Sequence, residues 1–378
     1  MKQYWTASAI ATTIALAMQA PMALAAEPSP PSASQAHTRP VAREGAPNVL
    51  IWLLDDVGFA QFHCFGGIVD TPNIDRVAKM GLRYSNYHTP AICSATRAAL
   101  LTGRNNHSVH LGGHVLYTRN LPGYDGIIPL DAGSLAENLR QNGYATCGLG
   151  KWHYLPPRDP SPGGPFNYFP LGQGFDRYYG FISADADNFS PILWRDNQPI
   201  ATPKDPRYHL NEDLADKAIE MIRSRQSQYP ERPFFMYWAT GTAHAPHHAP
   251  AEYLQRYRGK FDMGWDKARE MVLKRQIAQG LVPATTKLAQ RPETMPAWDS
   301  LTSDQKRLYA RQMEAFAASI AYADAEFGRI LDAIDTQGEL DNTMIIITTD
   351  NGASAEGAAS GTYSEEVFRN GHLATDAE

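Results

Sequence analysis

Asn48-Val49-Leu50-Ile51-Trp52-Leu53-Leu54-Asp55-Asp56 is the stretch on which the fold turns. It is an almost unbroken apolar run that closes on two adjacent carboxylates. A run that is apolar on both faces suits a strand in the middle of a sheet covered on both sides. Similar runs predict further strands at 144–149, 233–239 and 343–349. Between them lie helical patterns. One spans Pro72 to Met80, with Thr71 as N-cap, Pro72 as first residue and Gly81 as stop. A second covers 212–225. The longest runs from Thr302 to Gln337, with Thr302 and Gln305 spaced for a capping box and Gly338 at its end. On it Phe316, Ile320, Ala323, Phe327, Ile330, Leu331 and Ile334 share one face. Strands alternating with helices indicate an α/β fold: a large, mostly parallel central sheet with helices on both faces. Ligands in such folds sit at the carboxyl ends of the strands. Residues 155–210, rich in Pro, Gly and aromatics, predict long loops near that edge.

Two of those strand ends are acidic. Asp55-Asp56 closes the first, and Asp350-Asn351-Gly352 follows the last. Adjacent carboxylates repel, and a cation removes that cost. Carboxylate and amide oxygens make a hard cage, suited to Ca²⁺ or Mg²⁺ rather than zinc. Either pair alone reads equally well as a turn or helix cap. Together, at two apolar strand ends, they read as a metal site.

Bulk properties set limits. The chain has 378 residues and a formal charge of −6. That argues against a nucleic-acid phosphate backbone as the main partner, because such binders usually carry a basic face. Met1-Lys2, the small apolar residues 7–20 and Ala23-Leu24-Ala25 predict a signal peptide over 1–25. Residues 26–47 read as a Pro/Ser-rich linker, and 48–378 as the folded domain. No later stretch reaches membrane-spanning length, so the expectation is an exported protein, periplasmic or secreted. Of three cysteines, Cys64, Cys93 and Cys147, an odd count leaves one unpaired or altered. Cys64 and Cys147 can pair only if the fold brings them within reach.

Cys93-Ser94-Ala95-Thr96-Arg97-Ala98-Ala99-Leu100-Leu101-Thr102-Gly103-Arg104 resembles the sulfatase signature, Cys-x-Pro/Ala-x-Arg followed by a short apolar helix and Thr-Gly-Arg. Gly143-Tyr144-Ala145-Thr146-Cys147-Gly148-Leu149-Gly150-Lys151-Trp152-His153 resembles the second signature of that family, and Ala243-His244-Ala245-Pro246 its His-x-Pro segment. A lone Gly-Lys-x-His, or a lone cysteine, reads more simply as surface or core. Three long matches together do not. The resemblance covers about residues 48–357 and implies an alkaline-phosphatase-like fold.

It also implies a chemistry. In the family a dedicated maturation enzyme oxidises the signature cysteine, here Cys93, to formylglycine, which hydrates to a geminal diol. A helix N-terminus at Cys93 would favour a sulfate anion. One hydroxyl attacks the sulfur of a small sulfate ester, and the alcohol departs. One divalent cation, Ca²⁺ before Mg²⁺, is held by Asp55, Asp56, Cys93, Asp350 and Asn351 and polarises a sulfate oxygen. Arg97 and Lys151 hold developing charge, His244 protonates the leaving oxygen, and His153 takes the proton of the second hydroxyl. His247 and His248 read as loop residues near the substrate. His107, His110 and His114 carry no assigned role. Related formylglycine enzymes cleave phosphonate monoesters or phosphodiesters, which is the alternative activity. The family further supplies a lysine beyond Asp-Asn-Gly and a C-terminal sheet. The 26 residues after Gly352 contain no lysine, so the catalytic domain is expected to be incomplete, lacking its C-terminal subdomain. An inactive sulfate-binding remnant is then the third reading.

Overall fold

The computed structural model describes residues 39–156, 159–355 and 357–364. The expected signal peptide, residues 26–38 of the expected linker, and Glu356 lie outside the described residues. Strand β1, Asn48–Leu54, is buried at every position except half-buried Val49. Its side chains alternate between two cores, as the pleat requires. Leu50, Trp52 and Leu54 pack with helices α1 (Pro72–Met80), α4 (Leu210–Gln228) and α7 (Ser303–Thr336). Ile51 and Leu53 pack with α2 (Cys93–Thr102) and α3 (Leu135–Gln141). That division is why the run carries no polar face.

The remaining strands are β2 (Ala145–Lys151), β3 (Arg177–Phe181), β4 (Leu193–Arg195), β5 (Gln198–Ile200), β6 (Phe234–Ala239) and β7 (Thr343–Thr349). They form one sheet in the order β5-β4-β3-β2-β6-β1-β7. The ladders from β3 through β2, β6 and β1 to β7 are parallel, and β4 and β5 add an antiparallel edge. The expected mostly parallel sheet with helices on both faces is therefore present. Helices α5 (Ala251–Tyr257) and α6 (Gly264–Ala278) complete the set among the described residues.

The structure corrects the reading of 155–210 as loops only. It holds β3, β4 and β5. These strands are three to five residues long, too short for a periodic signal. β4 and β5 are joined across Asp196-Asn197, where Asp196 is left-handed at φ 55°, a conformation Asp and Asn tolerate in tight hairpins.

Capping shows what neighbours decide. Thr302 and Gln305 form the expected box at the start of α7. Thr71 occupies the expected cap position of α1, but its hydroxyl accepts from the His63 N–H at 3.1 Å. The first amides of α1 are capped from across the fold instead. Asn73 N and Ile74 N donate to the Asp324 carboxylate of α7, at 3.0 and 2.8 Å. The apolar stripe of α7 is buried throughout, and Phe327 lies 4.4 Å from the Trp52 ring. At the other end of the sheet the Tyr144 hydroxyl donates to Pro47 O, so the last residue of the expected linker already lies against the fold. No helix among the described residues is long and apolar enough to cross a membrane.

Candidate active site

The carboxyl ends of β1, β2, β6 and β7 meet at one edge, and every candidate residue lies there. Asp55 follows β1 and is fully buried. Its backbone is tied to the turn after β6: Asp55 N donates to Thr242 O at 2.8 Å, and Ala243 N to Asp55 O at 2.5 Å. That pairing carries His244 to the same edge. Asp56 is left-handed at φ 59°, an unusual state for a non-glycine residue and one that clusters at functional sites. The bend aims its amide at Asp350 Oδ1, 3.3 Å away, and its carboxylate at Asn351 Nδ2, 2.5 Å away.

β2 delivers Lys151 and His153. Gly150 has φ +91°, and a Cβ there would lie 2.0 Å from Ala239 O, so only glycine lets β2 close on β6 at this point. The Lys151 ammonium donates to Asp55 Oδ2 at 2.5 Å, with both side chains fully buried. His153, also left-handed, sets Nδ1 3.2 Å from Cys93 Sγ. Cys93 itself opens α2, whose cap residue Ile92 offers no side-chain bond. The first amides of that helix are therefore available to an anion. The Thr96 hydroxyl lies 2.6 Å from Asp350 O and 2.8 Å from Pro90 O, its one proton serving either carbonyl, and so ties the helix to the acidic strand end.

Arg97 is fully buried, and its charge acts on Cys93 as well as on the carboxylates. Its NH1 donates to Lys151 O at 2.9 Å and its NH2 to Asp350 Oδ2 at 2.6 Å, with Asp55 Oδ2 at 3.7 Å. It clamps the carboxylates.

The electrostatics follow from burial. Burial raises the pKa of Asp56, and burial together with Asp55 raises that of Asp350 to about 6. Burial works against the Lys151 ammonium, but the Asp55 carboxylate outweighs it and holds the lysine charged. Burial, then Lys151 and His114, push His153 well below the usual imidazole range, so it is neutral at pH 7. Burial pushes the Cys93 thiol up to about 12, so the unmodified side chain is not a thiolate near neutrality.

Among the described residues, three carboxylates here face two cations. Asp55 Oδ1 and Asn351 Oδ1 are buried with no hydrogen-bond partner, and donor atoms of Asp55, Cys93 and Asp350 lie within 4.8 Å of one another. Orphaned oxygens and excess negative charge fit a hard divalent cation.

The other histidines divide. His247 packs edge-on to Phe316 and His248 sits 3.6 Å from Asp187, both in the loop that carries His244. His110 pairs with Asp125 at 2.9 Å, and His107 packs on Tyr124. His114 was left without a role by the sequence, yet its ring lies 4.8 Å from the His153 ring. No motif marks it, because a loop return from 112 to 118 brings it there. Cys64 and Cys147 are buried in one core and unpaired.

Comparison with known proteins shows the family. The sulfatase family profile matches residues 47–375. The chain is 34% identical over 328 residues to an uncharacterised sulfatase of Schizosaccharomyces pombe, covering 82% of this chain and 58% of that protein. It is 30% identical over 332 residues to an arylsulfatase of Klebsiella aerogenes, covering 86% and 70%. The crystal structure of Ps i-CgsB in complex with k-i-k-neocarrahexaose superposes with a TM-score of 0.58 at 23% identity, covering 82% of this chain and 59% of that one. The chain thus spans little more than half the length of the first relative. With its buried cysteine, paired acidic strand ends and matching profile, it belongs to the sulfatase family.

Proposed function

We propose that this chain carries the catalytic centre of a sulfate-ester hydrolase of the arylsulfatase type. The observation that carries the reading is the placement of Cys93: at the head of α2, 3.2 Å from His153 Nδ1, and within 4.8 Å of oxygens of Asp55 and Asp350. The raised thiol pKa argues against Cys93 acting as a thiolate, and the signature at 93–104 supports its conversion to formylglycine by a maturation enzyme. Hydrated formylglycine at position 93 would supply the attacking hydroxyl. A divalent cation, Ca²⁺ before Mg²⁺, would be held by Asp55, Asp56, Asp350, Asn351 and residue 93, and would supply Lewis-acid polarisation of a sulfate oxygen.

The chain's own residues do the rest. Lys151, held charged beside Asp55, places a fixed cation at the edge where the sulfate sits. Neutral His153 presents Nδ1 to residue 93 and accepts a proton there. Ala245 O can only accept, so His244 Nδ1 donates to it at 2.7 Å, leaving Nε2, 3.8 Å from Asp56 Oδ2, to exchange a proton with the departing oxygen. Arg97 keeps Asp350 and the Lys151 backbone in register.

Export to the periplasm or the medium belongs to the same proposal, supported by the pattern of residues 1–25. The test is peptide mass around Cys93 in protein from a host carrying the maturation enzyme, followed by turnover of nitrophenyl sulfate and of a phenylphosphonate ester. A loss of about 18 Da, opposite in sign to ordinary thiol oxidation, and faster turnover of the sulfate are expected. An unaltered thiol, or preference for the phosphonate, overturns the reading.

A further inference from the structure

We infer that His114 is a further anion-contacting residue of this centre, a neutral imidazole N–H donor that binds the sulfate group from the solvent side. The inference rests on the sulfate-ester reading above and adds a residue that no signature contains.

Position comes first. A ring nitrogen of His114 lies within 4.8 Å of both Cys93 Sγ and a ring nitrogen of His153. His153 and Cys93 are buried, whereas His114 is part-exposed. Its ring therefore reaches from the buried nucleophile position toward solvent.

The loop is held there. Val115 N donates to Ser94 Oγ at 3.0 Å, a buried bond to the residue next to Cys93. On its outer side the His114 ring packs 5.2 Å from Tyr117. The donor is therefore anchored to α2 itself and keeps its place relative to residue 93.

The tautomer is set by the backbone. Leu116 N can only donate, and it donates to His114 Nδ1 at 3.1 Å. Nδ1 is thus the acceptor, and in the neutral ring Nε2 carries the proton. This argues against the other chemistry the cluster suggests. One sulfur and two imidazoles resemble a zinc set, but ligation by His114 needs either the Nδ1 lone pair already given to Leu116 or a deprotonated Nε2. A hydrogen-bond donor is what remains.

Such a donor meets a need. Among the described residues, the cations at this edge, Lys151 and Arg97, are engaged with Asp55 and Asp350. A bound sulfate has oxygens to satisfy beyond those that a lysine and the helix amides reach. A neutral N–H supplies one bond without adding a further charge to a buried site.

The test is calorimetric titration of inorganic sulfate, in calcium chloride, into the chain from a host without maturation enzyme, so that binding is read apart from conversion of Cys93. His114→Ala and His114→Phe should weaken sulfate roughly tenfold, the scale of one lost hydrogen bond to a charged group. His114→Gln, which keeps an N–H, should bind within about twofold of the parent on the same scale. His114→Phe keeps the ring against Tyr117 and His153, so its thermal unfolding controls for a packing loss in His114→Ala. In matured enzyme the same variants should raise KM for nitrophenyl sulfate more than they lower kcat. Undiminished sulfate binding by His114→Phe, or a Gln variant as weak as Ala, overturns the inference. A parent chain that binds no sulfate overturns the underlying reading, and this inference with it.

Discussion

Arg97→Met separates a clamp from a substrate contact. In the folded chain the guanidinium is fully buried and bonded to Lys151 O and Asp350 Oδ2. Methionine keeps the length but strands a buried carboxylate, and breaking a buried ion pair costs about 3–5 kcal/mol. At the lower end of the usual conversion for large domains, about 2 °C per kcal/mol, the melting temperature should fall by roughly 6–10 °C. The assay is thermal unfolding by circular dichroism in chelator. Asp350→Asn in the Arg97→Met background removes the stranded charge, so the two changes should couple by roughly 1–3 kcal/mol in a double-mutant cycle. The pH dependence has a definite sign. Asp350 has its folded pKa raised to about 6 from 3.8, so its contribution is present below the unfolded value and is lost as pH rises through about 6. Without Arg97 that pKa climbs further. The Arg97→Met deficit should therefore be smaller at pH 5 than at pH 8. Melting within a degree or two of the parent at pH 8, or strictly additive effects, refutes the clamp.

Other outcomes follow from the same geometry. Calcium at about a hundred times its dissociation constant should add about 2.7 kcal/mol to stability over chelator-treated protein. Asn351→Leu, which removes an orphaned donor oxygen, should shrink that increment, and an equal increment in the variant counts against the proposed ligand set. His209 is pushed down to about 4 from 6.5, mainly by burial, while Nδ1 accepts the Asn211 amide at the start of α4. A depressed imidazole contributes stability above pH 6.5 that is lost as pH falls toward 4, here about 3 kcal/mol. His209→Asn keeps a capping side chain without a titrating one. It should flatten the acid limb of stability between pH 6.5 and 4, and an unchanged limb rules out this ring as a source.

Much of this protein was legible in its residues because the signals are local. The run 49–54 had to be buried on both faces, and β1 does divide its side chains between two cores. Thr302 and Gln305, three apart, were enough for a capping box. The acidic strand ends and three signature segments announced Asp55, Asp56, Cys93, Arg97, Lys151, His153, His244, Asp350 and Asn351, because chain direction in a parallel sheet sends every strand's carboxyl end to one edge. What the tertiary structure alone decided depends on partners distant in the chain. Asp324, not Thr71, satisfies the first amides of α1, across some 250 residues. Strands of three to five residues between 177 and 200 exist because a neighbouring edge accepts their hydrogen bonds, not because of their own periodicity. Arg97 turns inward because Asp350 and Lys151 arrive beside it from other strands. His114 meets Cys93 and His153 only through a loop bolted to Ser94. Periodicity and caps are written along the chain, whereas the pairing of buried charges and the meeting of loops are settled only when separate segments share one space.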